Sequence, residues 1–187
     1  MRQTFLHKIL CYLALFLFAL IWIAPIATAF DKSMMINGWQ NYRYILTYEK
    51  INYFRVVGNS MTVAISSALI VGTITTLGGF AFSKLNFYGR KTIYMMILAC
   101  LAVPVASVTM PLFVTIKALH LIDSRLGLII PLVAFNAPMM LMMIKNYFDG
   151  IPNELLESAQ IDGATPMHIY RSVMIPLSGP ILANVLV

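Results

Sequence analysis

Residues 9–30 read ILCYLALFLFALIWIAPIATAF, a run without a charged side chain. An α-helix rises about 1.5 Å per residue, so about 20 residues cross a hydrocarbon layer of roughly 30 Å. Because lipid offers no hydrogen-bond partners, a segment that crosses it must satisfy its own backbone N–H and C=O groups, as a helix does. This run therefore predicts a membrane-spanning helix.

Three further uncharged runs are long enough to span a bilayer, and they cover residues 60–83, 92–116 and 126–144. A fifth run begins at residue 172 and is still apolar at residue 187. We expect it to be an incomplete fifth helix, and a natural short re-entrant end is the alternative. None of these runs alternates in the manner of strands in a membrane β-barrel. The predicted fold is an all-α integral membrane protein, a multi-span helical bundle with four complete spans and a truncated fifth.

The composition agrees with residence in a membrane. Of the 187 residues, 60% are hydrophobic and 11% are charged, whereas about a quarter of a soluble domain is charged. A disordered protein and a disulfide-rich secreted domain are therefore excluded. The net charge of +6 could suit a nucleic-acid binder, but the basic residues lie in short segments between apolar runs, which suits lipid headgroups. We expect the lipid bilayer as a partner and no nucleic acid.

The residues at the ends of the first run indicate whether it is cleaved as a signal peptide and how it is oriented in the membrane. Arg2 and Lys8 precede it and residues 27–29 read ATA, which together could indicate a signal peptide. The run exceeds the usual signal core of about 7–15 residues, which favours an uncleaved helix. Basic residues concentrate on the cytoplasmic side of membrane proteins. The bases before the first run, and the acid-free basic segment from Lys84 to Lys91, predict a cytoplasmic N-terminus.

Two features inside the runs suggest how the helices pack and move. Small residues recur every fourth position in the second run, at Ser60, Ala64, Ala68, Gly72 and Thr76. This stripe predicts close packing in a bundle or against a partner subunit, although membrane helices are rich in small residues in any case. Prolines in the third and fourth runs predict bends, at Pro104, Pro111, Pro131 and Pro138.

Asn136 lies near the middle of the fourth run. An amide at that depth either bonds a neighbouring helix or faces a polar pathway. Both interpretations stay open, and the second makes Asn136 a candidate contact on a translocation path.

Residues 149–176 read DGIPNELLESAQIDGATPMHIYRSVMIP and differ from the rest of the chain because they are rich in acids. Pro152 and Glu154 are typical of the first turn of a helix, and Gly163 can supply the left-handed residue that ends it. Thr165 followed by Pro166 predicts the N-cap and first residue of a second helix. The prediction is a short amphipathic helix, a glycine turn, and a second helix that Pro176 ends or bends.

The first of these helices has the character of a docking element. Leu155, Leu156 and Ala159 form an apolar ridge, and acids flank it. A helix that lies on lipid usually carries Lys and Arg on its polar face, whereas this face is acidic. We therefore favour insertion into a groove of a partner protein over a position on lipid.

This segment resembles the cytoplasmic coupling loop of permease subunits of binding-protein-dependent ABC importers, and most closely the carbohydrate-importing branch. The family's signature is Glu-Ala-Ala, three residues, Gly, nine residues, and Ile-x-Leu-Pro. Residues 157–159 (ESA), Gly163 and residues 173–176 (VMIP) stand at these positions. Ser158 replaces an alanine, and the other departures are conservative. Supporting similarities lie in residues 59–60 (NS), 87–90 (FYGR) and 146–148 (NYF).

The resemblance implies a type I ABC importer permease domain over residues 1–187, with the coupling loop at 145–171. The chain would be the membrane-spanning subunit of an ATP-driven importer of a sugar or related solute, in a bacterial-type inner cell membrane. Its implied partners are a second permease subunit, two ATPase subunits that bind the ATP, and an extracytoplasmic solute-binding protein. The chain itself would hold no cofactor, metal or catalytic site, and it contains no G-x-x-x-x-G-K-[ST] phosphate loop.

The same resemblance assigns roles by position. Glu157 would contact a basic residue of the ATPase, Ala159 would pack in the docking groove, and Gly163 would turn the chain, braced by Asp162. The expected coupling-loop residues are Glu154, Leu155, Glu157, Ser158, Ala159, Asp162, Gly163, Ala164 and Pro176.

The alternative is a secondary transporter, or another multi-span membrane protein without an ATPase partner. Secondary transporters usually carry ionisable residues within their spans, and the four complete runs contain no Asp, Glu, Lys, Arg or His. A membrane-embedded enzyme would need clusters of histidines or acids, and the sequence shows none.

Overall fold

The computed structural model describes residues 5–48 and 52–186 of the chain, with side chains for residues 8–48 and 52–184. Arg2 and Val187, at the two ends of the sequence predictions, lie outside the described residues. The chain divides into two units, residues 1–57 and residues 58–187.

Within the described residues, all regular structure is helical, so the predicted all-α class is confirmed. The α-helices are α1 (Phe5–Met34), α2 (Trp39–Thr47), α3 (Tyr53–Lys84), α4 (Arg90–Ala99), α5 (Val105–Ala118), α6 (Leu126–Asp149), α7 (Glu154–Ile161), α8 (Pro166–Ile169), α9 (Ile175–Leu177) and α10 (Gly179–Leu186). A 3-10 turn (Cys100–Ala102) follows α4, and a π-helical turn (Tyr170–Met174) connects α8 to α9.

Three of the described helices, α1, α3 and α6, are long and apolar enough to cross a membrane alone. The segments Arg90–Ala102 and Val105–Ala118 reach that length only as a pair, and the pair is bent by 99°. The described helices thus provide three spans, or four if the bent pair is one span. The predicted number of complete spans therefore stays a prediction.

The third predicted span, residues 92–116, is broken at one of its prolines. Val103 and Pro104 both have extended backbone, with ψ of 116° and 128°. The proline ring disfavours helical geometry in the residue before it, so α4 and its 3-10 turn end there. Pro111 lies inside α5 without such a break, and Pro131 and Pro138 lie inside α6. The bend predicted from the prolines is thus concentrated at Pro104.

The core of the second unit lies where α7 and α8 pack back onto α3 and α6. Its buried apolar residues are Val71, Phe80, Ile144, Phe148, Ile151, Leu156, Ile169, Tyr170 and Met174. Most come from the segment after α6, although that segment was predicted mainly as a surface for a partner. Burying this much apolar surface gives the loop a fixed position on the ends of α3 and α6.

Helices α3 and α6 meet at a pair of glycines. A Cβ atom placed on Gly79 would lie 2.6 Å from Cγ2 of Ile144, and one on Gly78 would lie 2.8 Å from Cδ1 of Leu141. Such distances are shorter than van der Waals contact. The tip of the Leu141 side chain can move away, but the branched Ile144 and the backbone of Lys145 cannot readily do so, so the close approach depends chiefly on Gly79.

The predicted small-residue stripe of α3 is not the face that makes this contact. Of its five members Thr76 is buried, Ala68 and Gly72 are half-buried, and Ser60 and Ala64 are exposed. The buried residues of α3 are Ser67, Val71, Thr75, Thr76, Gly79, Phe80 and Phe82. Within the described part of the chain, close packing therefore uses the second half of the stripe together with a neighbouring face, and contact of the stripe with a partner subunit stays a prediction.

Candidate docking site

Helix α7 begins at Glu154, so Pro152 lies just before the helix and not in its first turn as the sequence predicted. Glu154 and Glu157 lie in its first turn, where the positive end of the helix dipole stabilises acids. The carbonyl oxygen of Asn153 accepts hydrogen bonds from the N–H groups of Leu156 and Glu157, each at 2.9 Å. The side chain of Asn153 is not used as a cap, because it is engaged elsewhere, as described below.

The turn after α7 is a Schellman motif, a helix end closed by two crossed backbone hydrogen bonds. Gly163 has a left-handed φ of 80°, its N–H bonds the carbonyl of Gln160, and the N–H of Ala164 bonds the carbonyl of Ala159. This pair of bonds satisfies carbonyls that a helix end leaves free. The predicted glycine turn is confirmed.

The second helix also starts as predicted. Thr165 is extended, its hydroxyl oxygen accepts a hydrogen bond from the N–H of His168 at 3.3 Å, and Pro166 occupies the first turn. Downstream, the N–H of Ile175 bonds the carbonyl of Tyr170 in the wider π pattern. Pro176 follows at once and has no N–H to offer, so the irregularity predicted at Pro176 takes the form of this π-helical turn.

The orientation of α7 changes one part of the sequence interpretation. Leu156 is buried against the core and Ala159 is half-buried, whereas Leu155 is 45% exposed. The predicted ridge is therefore not one continuous outer surface. Leu156 and Ala159 are three residues apart and face the same way, which is towards the chain's own core. The exposed apolar residues of α7 are instead Leu155 and Ile161.

The outer surface of this segment is acidic. Glu154, Glu157, Ser158 and Asp162 are exposed, as are Gly163 and Pro176, and Ala164 is half-buried. We call the surface formed by Glu154, Leu155, Glu157, Ser158, Ile161 and Asp162 the acidic face. It presents three carboxylates beside two apolar side chains, which suits a groove that has an apolar floor and basic edges.

A polar network ties the start of this segment to the end of α3. The ammonium group of Lys84 donates to the carbonyl of Ile151 at 2.7 Å and to Oδ1 of Asn153 at 2.8 Å. The Ser83 hydroxyl donates to Oδ1 of Asp149 at 2.7 Å. The other carboxylate oxygen of Asp149 pairs with Lys145, one helical turn earlier on α6.

These network residues were not identified from the sequence. The spacing of Lys145 and Asp149, four residues apart, was the one local signal for them. The pairing of Lys84 with Asn153 joins residues distant in sequence, so spacing could not reveal it.

Tyr170 makes a second tie between the segment and α3. Its hydroxyl hydrogen-bonds the hydroxyl of Thr76 at 2.8 Å, and its ring lies 5.6 Å from that of Phe80, centroid to centroid. Farther along, the Tyr147 hydroxyl of α6 donates to the carbonyl of Leu177 at 2.7 Å. The loop is therefore held at both ends.

Asn136, the candidate contact on a translocation path, lies outside this site. Asn136 is exposed on α6, and its amide donates to the carbonyl of Leu132 in the same helix at 2.8 Å. Its role as a contact on a translocation path stays a prediction. In the part of the chain that the structure describes, no three His, Cys, Asp or Glu residues lie together as a metal site would require.

Comparison with known proteins gives a consistent result. The family model described as "Binding-protein-dependent transport system inner membrane component" matches residues 68–187. The osmoprotective compounds uptake permease protein of Synechocystis is 27% identical over 98% of this chain and 68% of its own length. The arabinooligosaccharides transport system permease protein of Bacillus subtilis is 29% identical over 80% of this chain and 52% of its own length.

A solved structure shows the same fold. It is a bacterial ABC transporter involved in the import of the acidic polysaccharide alginate. The match covers all of this chain and 70% of the transporter's chain, with a TM-score of 0.69 and 24% sequence identity. The chain thus spans roughly half to two thirds of the length of the curated relatives it matches.

Proposed function

Because the chain belongs to the family of binding-protein-dependent transport system inner membrane components, we propose that it is the membrane-spanning subunit of an ATP-driven importer. The family match begins at residue 68, inside α3, and covers the whole of the acidic face. It is this location of the acidic face within the matched region that supports a transport role for the face.

The acidic face is the docking surface for an ATPase subunit in this proposal. Glu157 pairs with a basic residue of the ATPase, while Leu155 and Ile161 enter an apolar groove. Leu156 and Ala159 lie on the other side of α7 and pack it onto the chain's own core. The observation that carries this proposal is the combination of exposed carboxylates outside with a buried apolar side inside.

Docked in this way, α7 can transmit force to the membrane helices. Its underside shares a core with α3 and α6, and the Lys84 and Asp149 hydrogen bonds join the same elements. Close-packed cores deform little, so a displacement of α7 moves the adjacent ends of α3 and α6 with it. Closure of an ATPase pair would then change which side of the membrane the central path opens to.

The other subunits of the importer are proposed from the relatives. Two ATPase subunits, a second permease subunit and an extracytoplasmic solute-binding protein would complete it in a bacterial-type inner membrane, with the N-terminus in the cytoplasm. The relatives are named for arabinooligosaccharides and for osmoprotective compounds. We therefore propose a sugar or related solute as cargo, and ATP binds to the partner ATPase rather than to this chain.

Purification of the full-length subunit from its native membrane tests the proposal. We expect an ATPase and a second permease to co-purify, and we expect uptake in vesicles to require ATP and the solute-binding protein. Uptake that is driven by an ion gradient, with no ATPase bound, would instead support the secondary transporter and overturn this function.

A further inference from the structure

Helix α2 is fixed against the end of α1. The chain turns between them through Ile36 and Gly38, which have φ of 74° and 53°. The Asn41 amide donates to the carbonyls of Ser33 and Met35, at 2.9 and 3.2 Å. These bonds satisfy the carbonyl of Ser33 in the last turn of α1 and that of Met35 just after it. They hold α2 in place beside the end of α1.

Aromatic contacts reinforce the junction. The Trp39 ring lies 6.4 Å from that of Phe30 in an edge-on arrangement and 5.7 Å from that of Tyr42, centroid to centroid. The hydroxyl of Tyr42 also hydrogen-bonds that of Ser33. Aromatic residues thus concentrate at the point where α1 ends.

The sequence of α2, WQNYRYILT, is amphipathic. Trp39, Tyr42, Ile45 and Leu46 follow helical spacing and share one face, which we call the aromatic face. Arg43 is the one charged residue of the helix and lies one turn after Trp39, at the edge of this face, while Gln40 and Tyr44 lie on the opposite side. None of the nine residues of α2 is buried, and Trp39 is 71% exposed. The aromatic face is therefore apolar and uncovered within the described residues.

We propose that α2 is an interfacial helix whose aromatic face lies in the headgroup region of the bilayer, on the side where α1 ends. Helix α1 can cross a membrane, so its end lies at a membrane surface, and the contacts above hold α2 beside that end. Trp and Tyr are enriched at this depth because one edge of the ring is apolar and the other can meet water. Arg43 and Lys32 supply the positive charge that lipid phosphates attract.

Helix α2 thus contrasts with α7. Both are short amphipathic helices, but the polar side of α7 is acidic, which anionic headgroups would repel. Helix α2 instead carries a single basic residue and no acid. The same chemistry that argues for a protein partner at α7 argues for lipid at α2.

Tryptophan fluorescence tests this proposal on the full-length subunit reconstituted in vesicles of phosphatidylglycerol and brominated phosphatidylcholine. All tryptophans other than Trp39, Trp22 among them, are replaced by Phe. We expect blue-shifted Trp39 emission, and stronger quenching by lipids brominated near the headgroup than by lipids brominated near the chain end. Aqueous iodide should quench it weakly.

A matched variant places the probe on the polar side of the same helix. In W39F combined with Q40W, Phe preserves an aromatic ring at the junction, and the new tryptophan should emit as if in water and be quenched by iodide. Equal iodide quenching at positions 39 and 40 would overturn the proposal. Shielding of Trp39 that appears only when the solute-binding protein is added would also overturn it, because the aromatic face would then bind protein rather than lipid.

Discussion

At the scale of single residues, Gly79 sets the distance between α3 and α6. A Cβ at this position would meet Cγ2 of Ile144 at 2.6 Å and the backbone nitrogen of Lys145 at 3.3 Å. Overpacking of this kind costs about 1–3 kcal/mol. We therefore expect Gly79→Ala to lower the thermal midpoint of the purified subunit.

The control for that variant is Gly58→Ala in the same helix. A Cβ there meets nothing within 4 Å, and alanine is the better helix former. Gly58→Ala should leave the midpoint unchanged or raise it slightly. Equal midpoints for the two variants would mean that α3 and α6 do not approach at Gly79.

Lys84 ties the residues just before α7 to the end of α3. Lys84→Met keeps the apolar stem but leaves the Ile151 carbonyl and the Asn153 side chain without their donor. A hydrogen bond to a charged group contributes about 1.5–3 kcal/mol, less when partly exposed. We expect roughly fivefold faster amide hydrogen exchange in residues 151–157, as an effect of about 1 kcal/mol would give.

The corresponding substitution of an exposed lysine provides the comparison. Lys91→Met removes the same charge from the first turn of α4 and should leave exchange in residues 151–157 at the rate of the unaltered protein. If both variants exchange alike, the Lys84 contacts contribute nothing to the position of α7.

The roles of some of these residues could be predicted from the sequence, and those of others could not. Gly163, Thr165 and Pro166 were predicted correctly because a helix end depends on neighbours within a few residues. The roles of Gly79 and Lys84 were not predicted, because each is defined by a partner far along the chain. The amide of Asn136 bonds a carbonyl of its own helix, whereas the sequence had predicted either a bond to a neighbouring helix or contact with a polar pathway; the pathway contact stays a prediction.

At the scale of elements, the turn between α7 and α8 depends on backbone conformation alone. A side chain at Gly163 would meet nothing within 4 Å, but its φ of 80° disfavours β-branched residues. Left-handed backbone costs an ordinary residue about 1–2 kcal/mol, and Asn tolerates it best.

Two variants at this position therefore separate backbone strain from contact. Gly163→Val should reduce ATPase co-purification and transport, whereas Gly163→Asn should retain most of both. Equal behaviour of Val and Asn would show that the left-handed turn is not needed for assembly.

The acidic face of α7 gives a prediction about charge. Glu157→Lys should weaken ATPase attachment and ATP-dependent uptake while the subunit still inserts into the membrane, because a lysine would repel a basic partner. Co-purification at increasing salt measures the attachment. Asp31→Lys, which makes the same charge change at the end of α1, serves as the control, and unaltered coupling in Glu157→Lys would argue against docking through this face.

The helices were predicted where their extent depends on nearby residues, and features that depend on distant residues were missed. Composition placed α1, α3 and α6 because long apolar runs need no tertiary information. The break at Pro104 is sharper than the predicted bend, since a proline permits either a kink or a full break, and packing selects between them. The burial of Leu156 was missed because an amphipathic pattern shows that a helix has an apolar face, without showing which surface covers it.

At the scale of the whole molecule, the family inferred from residues 149–176 is confirmed by the match over residues 68–187. A local signature sufficed because the docking segment is contiguous in sequence. The number of complete spans and the identity of the cargo cannot be obtained in the same way. The first depends on whether the bent pair α4 and α5 forms one span, and the second depends, in the proposed assembly, on surfaces supplied by several chains.

Contact between the acidic face of α7 and an ATPase subunit is the basis of the proposed function, and cysteine cross-linking detects such a contact. Cys11 and Cys100 are replaced by Ser, and a single cysteine is placed at Ile161, which is 86% exposed, or at Leu119 near the end of α5 as the control. In the assembled complex, Ile161→Cys should form a cross-linked pair with the ATPase when a bifunctional maleimide is added, and Leu119→Cys should not. If Ile161→Cys never links to the ATPase and is instead labelled by a membrane-impermeant maleimide from the extracytoplasmic side, the claim is contradicted.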